Sequence, residues 1–153
     1  MRLSNPPEGA LYDAVHAVSL TGTRRGLQPE QKRALKWLLK KMNAFSFHHG
    51  DCVGADVEAA ALAHALGMKI YRYPSDLNIS GDSPYGLLAQ GPKSPLTRNM
   101  DIVNKGDCLV ACPRTMSEEL RSGTWTTVRY ARKQGRLVWI VWPDGSLTSP
   151  DGA

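Results

Sequence analysis

Three times along this chain a short apolar stretch runs into a glycine-bearing polar turn, and a stretch of helical periodicity follows. Residues 15–20 lead to Thr21-Gly22-Thr23-Arg24-Arg25-Gly26, and residues 45–48 to His49-Gly50-Asp51-Cys52-Val53-Gly54-Ala55-Asp56. Residues 108–112 lead through a short loop to Arg121-Ser122-Gly123-Thr124. Further strands are expected at 68–73 and 137–142. Helices are expected from Pro29, over 55–66 with Gly67 closing the end, over 94–104 and over 124–134. Leu35, Leu38, Leu39 and Met42 keep helical spacing and should face a sheet. Strands that alternate with helices, and are apolar on both faces, predict an α/β fold with a parallel sheet. In such open sheets ligands sit beyond the carboxyl ends of the strands, where strand order reverses. The three turns are expected to converge there.

The 153 residues suffice for one domain with a real core. Residues 1–13, with Asn5-Pro6-Pro7 and Gly9, read as a flexible lead-in, 14–143 as the domain and 144–153 as a flexible tail. The segment 77–95 reads as a long loop with one helical turn. No apolar run approaches the roughly 20 residues that span a bilayer, and no apolar signal core opens the chain, so a cytoplasmic protein is expected. Three cysteines fit a reducing compartment. The net charge of +5 gathers on Lys32, Arg33, Lys36, Lys40 and Lys41 and on Arg129, Arg132, Lys133 and Arg136. It suits an anionic ligand or nucleic acid and identifies neither.

A Ser-Gly-Thr turn opening a helix offers unpaired N–H groups, two hydroxyls and the positive end of the helix dipole, which is what a phosphate needs. Ser122, Gly123 and Thr124 are therefore candidate phosphate ligands, although Ser and Thr also cap helices with no ligand present. Gly22, Gly50 and Gly54 are either ligand-approach positions or turn glycines with positive φ. Arg24 carries a planar fork suited to phosphate oxygens. Asp51 and Asp56 either cap the second helix or accept from ribose hydroxyls. Trp125 packs the helix start or stacks on a base. His48, His49, Asp51 and Cys52 have the chemistry of zinc ligands but not the spacing, since adjacent strand residues face opposite ways. No metal site and no cofactor are expected. Cys108 and Cys112 share a strand face and should pack as apolar groups.

With these blocks in place, from about residue 18 to 142, the chain resembles the SLOG superfamily. This Rossmann-like group includes the DNA-processing protein A domain and the Lonely Guy phosphoribohydrolases, and the resemblance is nearest to its small YspA-like branch. It implies a single-domain, three-layer sandwich with a mostly parallel sheet of about five or more strands. It also implies a ligand site made by Gly22, Thr23, Arg24, Gly50, Asp51, Cys52, Gly54, Ala55, Asp56, Arg98, Asn99, Ser122, Gly123, Thr124 and Trp125. The ligand it implies is a nucleotide-derived small molecule. Homo-oligomerisation is implied too, and Trp37, Trp139 and Trp142 are large for so small a domain to bury completely. One departure matters. Where Lonely Guy enzymes carry a glutamate in PGGxGTxxE, this chain has Thr127, which cannot serve as a carboxylate. Three functions follow: a nucleotide-binding sensor, carrier or sequestering protein; an N-glycosidic hydrolase using Asp56, Glu58 or Glu119; and a single-stranded nucleic-acid binder.

Overall fold

The computed structural model describes residues 15–77 and 80–151; the expected lead-in lies outside them. Seven strands form one sheet in the order β4-β3-β2-β1-β5-β6-β7. They are β1 (Ala17–Gly22), β2 (Ser46–His49), β3 (Lys69–Arg72), β4 (Leu87–Leu88), β5 (Cys108–Cys112), β6 (Leu137–Val141) and β7 (Leu147–Thr148). All neighbours pair in parallel except β6 and β7. Four helices connect them: α1 (Pro29–Met42), α2 (Ala55–Ala65), α3 (Pro95–Lys105) and α4 (Gly123–Lys133).

Both strand faces are covered, as the apolar runs require. Leu35, Leu38 and Leu39 of α1 and Ala59, Ala60 and Ala63 of α2 pack with Val18, Leu20, Val110, Cys112 and Trp139 on one face. On the other, Val103 of α3 and Trp125, Val128 and Ala131 of α4 pack with Leu109, Ala111, Val138 and Ile140. The alternation within β5 and β6 is the period-2 geometry of a strand between two helical layers. Cys108 and Cys112 lie in the first of these clusters as small apolar groups.

Helix α1 starts where Pro29 predicts, with Gln28 and Gln31 bonded reciprocally across its first turn. The buried Gln31 amide donates to the carbonyls of Pro113 and Val141, both at 2.9 Å, tying α1 to the ends of β5 and β6. Two expectations need correction. The 77–95 segment holds the short strand β4 and, among its described residues, no helical turn. The tail from 144 turns back at Gly145, and β7 pairs antiparallel with β6 while the Trp142 indole donates to Thr148 Oγ1 at 2.8 Å. Chain polarity hid this strand, because Asp144-Gly145-Ser146 is a hairpin turn as well as a plausible frayed end. No helix among the described residues is long and apolar enough to cross a membrane.

Candidate functional site

Strand β1 has β2 on one side and β5 on the other, so the chain reverses direction across the sheet at the β1/β5 pair. A polar cleft of about 470 Å³ opens beyond the carboxyl ends of these strands. The three turns meet there. The Thr23 N–H donates to the Cys112 carbonyl at 3.0 Å, and the Ala55 N–H donates to the Thr23 carbonyl at 2.9 Å, stitching each turn to the next.

Two small residues make this closure possible. A Cβ on Gly22 would lie 2.5 Å from Ala55 Cβ. Gly54 has φ +98°, and a Cβ there would meet the Arg24 carbonyl at 2.5 Å. Gly54 and Ala55 are thus the joint between turns and do not line the cleft. Asp51 does not line it either. Its carboxylate accepts from Ser83 N–H at 3.1 Å and Ser80 Oγ–H at 3.2 Å and faces Arg72 at 3.5 Å, so it holds the 80–83 loop. Trp125 is buried against Trp142, with ring centroids 5.8 Å apart, and offers no face to a base.

The remaining expected residues line the cleft: Gly22, Thr23 and Arg24 after β1, Gly50, Cys52 and Asp56 after β2, Arg98 and Asn99 on α3, and Ser122, Gly123 and Thr124 at α4. At the start of α4 the Ser122 hydroxyl accepts from Trp125 N–H at 3.3 Å, and its carbonyl accepts from Thr126 N–H at 2.9 Å. Ser122 is therefore the N-cap. The N–H groups of Gly123 and Thr124 and the Thr124 hydroxyl make no hydrogen bond among the described residues. Thr127, which the resemblance set at the position of a catalytic glutamate, is buried and donates its hydroxyl to the Gly123 carbonyl at 2.8 Å, outside the cleft.

Arg98 is spent on structure more than the sequence suggested. It is buried, and Nη1 donates to the carbonyls of Gly50 at 2.6 Å and Tyr73 at 3.0 Å, while Nε donates to Asn99 Oδ1 at 2.7 Å. Arg98→Met should leave both carbonyls unsatisfied and cost about 3 kcal/mol, lowering Tm by roughly 10 °C. A melting curve shifted by under about 2 °C would show that these bonds do not brace the fold.

Of the three candidate acids, only Asp56 lines the cleft. Its Oδ2 accepts from the N–H groups of Gly50 at 3.1 Å and Cys52 at 3.2 Å. Burial pushes its pKa up to about 6 against the opposing pull of these bonds and of Arg98. Glu58 instead accepts from Leu27 N–H at 2.7 Å beside Gly26. Glu119 chelates Arg114 at 2.6 Å and 3.0 Å, which holds its carboxyl below and the guanidinium above their ordinary values. Arg114 and Arg121 line the cleft and are absent from the expected set. Their signal was position alone: Arg114 follows β5 by two residues, and Arg121 precedes the α4 cap. The guanidinium groups of Arg24 and Arg121 have no hydrogen bond or ion pair among the described residues. Also among these residues, no three His, Cys, Asp or Glu side chains gather as metal ligands. His48 bonds Ser46 and Tyr73 on one sheet face, and His49 packs with Phe47 on the other.

No protein-family profile matches the chain, and no curated protein matches it in sequence. Solved structures do. The molybdenum cofactor binding protein of Rippkaea orientalis superposes with a TM-score of 0.58 at 18% identity, over 82% of this chain and 76% of that one. DNA processing protein A of Streptococcus pneumoniae gives 0.62 at 18% identity, over 85% of this chain and 51% of its own, so this chain spans about half of it. The chain shares the Rossmann-like α/β fold of these proteins. A Helicobacter pylori DNA processing protein A, described for its single-stranded DNA binding mode, shares that fold with a TM-score of 0.59 at 18% identity, over 85% of this chain and 66% of its own.

Proposed function

We propose that this protein binds a nucleotide or nucleotide-derived small molecule in the cleft, as a sensor, carrier or sequestering protein. One observation carries the reading. Two N–H groups and a hydroxyl at the start of α4, unpaired among the described residues, share a cleft with the guanidinium groups of Arg24 and Arg121, which among those residues have no hydrogen bond or ion pair. Such donors suit phosphoryl oxygens. The fold also occurs in proteins described as binding or carrying the molybdenum cofactor, or as binding single-stranded DNA.

Titration calorimetry against mononucleotides, cyclic nucleotides, ADP-ribose derivatives and molybdenum cofactor tests the reading. No binding at millimolar concentration overturns it. Thr124→Val should weaken binding roughly 10- to 150-fold at nearly constant volume, the effect of losing one hydrogen bond to a charged group. Since Ser122 makes the cap, Tm should hold. A lowered Tm with unchanged affinity would count against a ligand role for this hydroxyl.

Burial of Asp56 in the cleft favours a second reading, hydrolysis of a nucleotide N-glycosidic bond with Asp56 in place of the missing glutamate. Chromatography for free base after incubation with nucleoside monophosphates decides it, and turnover that survives Asp56→Asn rejects this mechanism. A nucleic-acid track is less favoured. The basic residues of α1 and α4 lie on opposite sides of the sheet, and Arg129 is held by Glu118 at 2.8 Å. Trp139 and Trp142 are buried, leaving Trp37 at 40% exposure from the tryptophans expected to drive self-association. Light scattering at tens of micromolar reads that property, with a species above 16.8 kDa supporting it.

A further inference from the structure

The cleft is rich in cations, yet its floor holds a carboxylate. Asp56 is nine-tenths buried at 6% exposure and stands in the same cleft as Arg24, Arg98, Arg114 and Arg121. Both backbone donors that reach it, Gly50 N–H and Cys52 N–H, bind the same oxygen, Oδ2. Among the described residues no backbone N–H reaches Oδ1, and Asp56 lines the cleft. Closing the 50–56 turn needs only one acceptor atom, which an asparagine would supply equally well. An ionised carboxylate accepts hydrogen bonds and cannot donate them. Oδ1 therefore calls for a donor on the ligand and repels a phosphoryl group.

The two ends of the cleft are then chemically distinct. Phosphoryl donors stand after β1 and β5, whereas Asp56 stands after β2 on the far side of β1. The turns after β2 and β5 are two strand spacings apart, about 10 Å. A phosphorylated sugar bridges such a span with its anionic end at α4 and its hydroxyls at Asp56. We propose that Asp56 is the specificity-determining residue of this cleft, its carboxylate accepting from the ribose hydroxyls and selecting ribonucleotides over deoxy forms. This rests on the nucleotide-binding reading above.

The experiment compares the four ribonucleoside 5′-monophosphates with their 2′,3′-dideoxy counterparts by calorimetry on the full chain, wild type and Asp56→Asn. In wild type, loss of the hydroxyls should weaken binding roughly 10- to 150-fold, as for a lost hydrogen bond to a charged group. Asp56→Asn keeps an acceptor for Gly50 and Cys52 but replaces the second carboxylate oxygen with an amide, so discrimination between the two sets should fall toward 1. Equal wild-type affinity for both sets overturns the inference and leaves the nucleotide reading intact. Discrimination that persists in Asp56→Asn also overturns it. If none of the eight compounds binds, the nucleotide reading falls and takes this inference with it.

Discussion

Gly123→Val is expected to abolish nucleotide binding while leaving Tm within about 2 °C of wild type. The two effects separate because this glycine is not needed for the fold. A Cβ built on it meets nothing within 4 Å, and its φ lies outside the left-handed region. Valine is a better helix residue than glycine by a few tenths of a kcal/mol, so the first position of α4 tolerates it. The new isopropyl group would stand where a ligand oxygen must approach the N–H groups of Gly123 and Thr124. Losing two such bonds amounts to at least 100-fold in Kd. Calorimetry and thermal melting on the same sample decide the matter, and a folded variant with wild-type affinity rejects the phosphate cradle. Gly54→Ala makes the contrast: its φ of +98° and the Arg24 backbone at 2.5 Å forbid a side chain, so that variant should fail to fold.

Acid should destabilise the protein steeply below pH 6.5. His48 is held down to about 4 by burial and by Lys105, and His49 to about 3 by burial and by Arg72, His48 and Arg98. Both titrate near 6.5 once unfolded, so between that pH and their folded values the unfolded chain binds more protons. Stability is therefore full above pH 6.5 and is lost as pH falls through the window. The loss is on the order of 3 kcal/mol for His48 and 5 kcal/mol for His49. Asp56 works in the opposite sense. Its folded pKa of about 6 lies above the unfolded value, so the folded state binds the extra proton as pH falls through 6 and recovers roughly 3 kcal/mol. Asp56→Asn removes that recovery, and its stability should fall more steeply with acid than wild type. Urea midpoints at pH 7.5, 6 and 5 measure both slopes. A flat profile, or parallel profiles for the two proteins, would show that these groups do not titrate as their surroundings imply.

The order of strands and helices was legible because it rests on local signals. Pro29 starts α1, the alanines of 55–65 pack a helix on the sheet, and 108–112 is apolar on both faces. The site was legible in outline, since each of its turns follows a strand that periodicity alone identifies. What each polar group does inside it was not. Arg98 points inward because carbonyls 48 and 25 residues away, on Gly50 and Tyr73, wait for it. Asp51 serves a loop some 30 residues on, and Glu119 is withdrawn from the chemistry by Arg114.

Sequence by itself determined the α/β class, the parallel sheet and the three turns at its carboxyl edge, because periodicity and capping act over a few residues. Tertiary structure alone decided that Ser122 and not Thr124 caps α4, that Arg114 and Arg121 join the cleft, and that Asp56 is its available carboxylate. It also drew residues 147–148 into the sheet and buried Trp139 and Trp142. The physical reason is shared by all of these. Whether a polar side chain is spent on the protein or left for a ligand depends on which donors and acceptors the fold brings within about 3 Å.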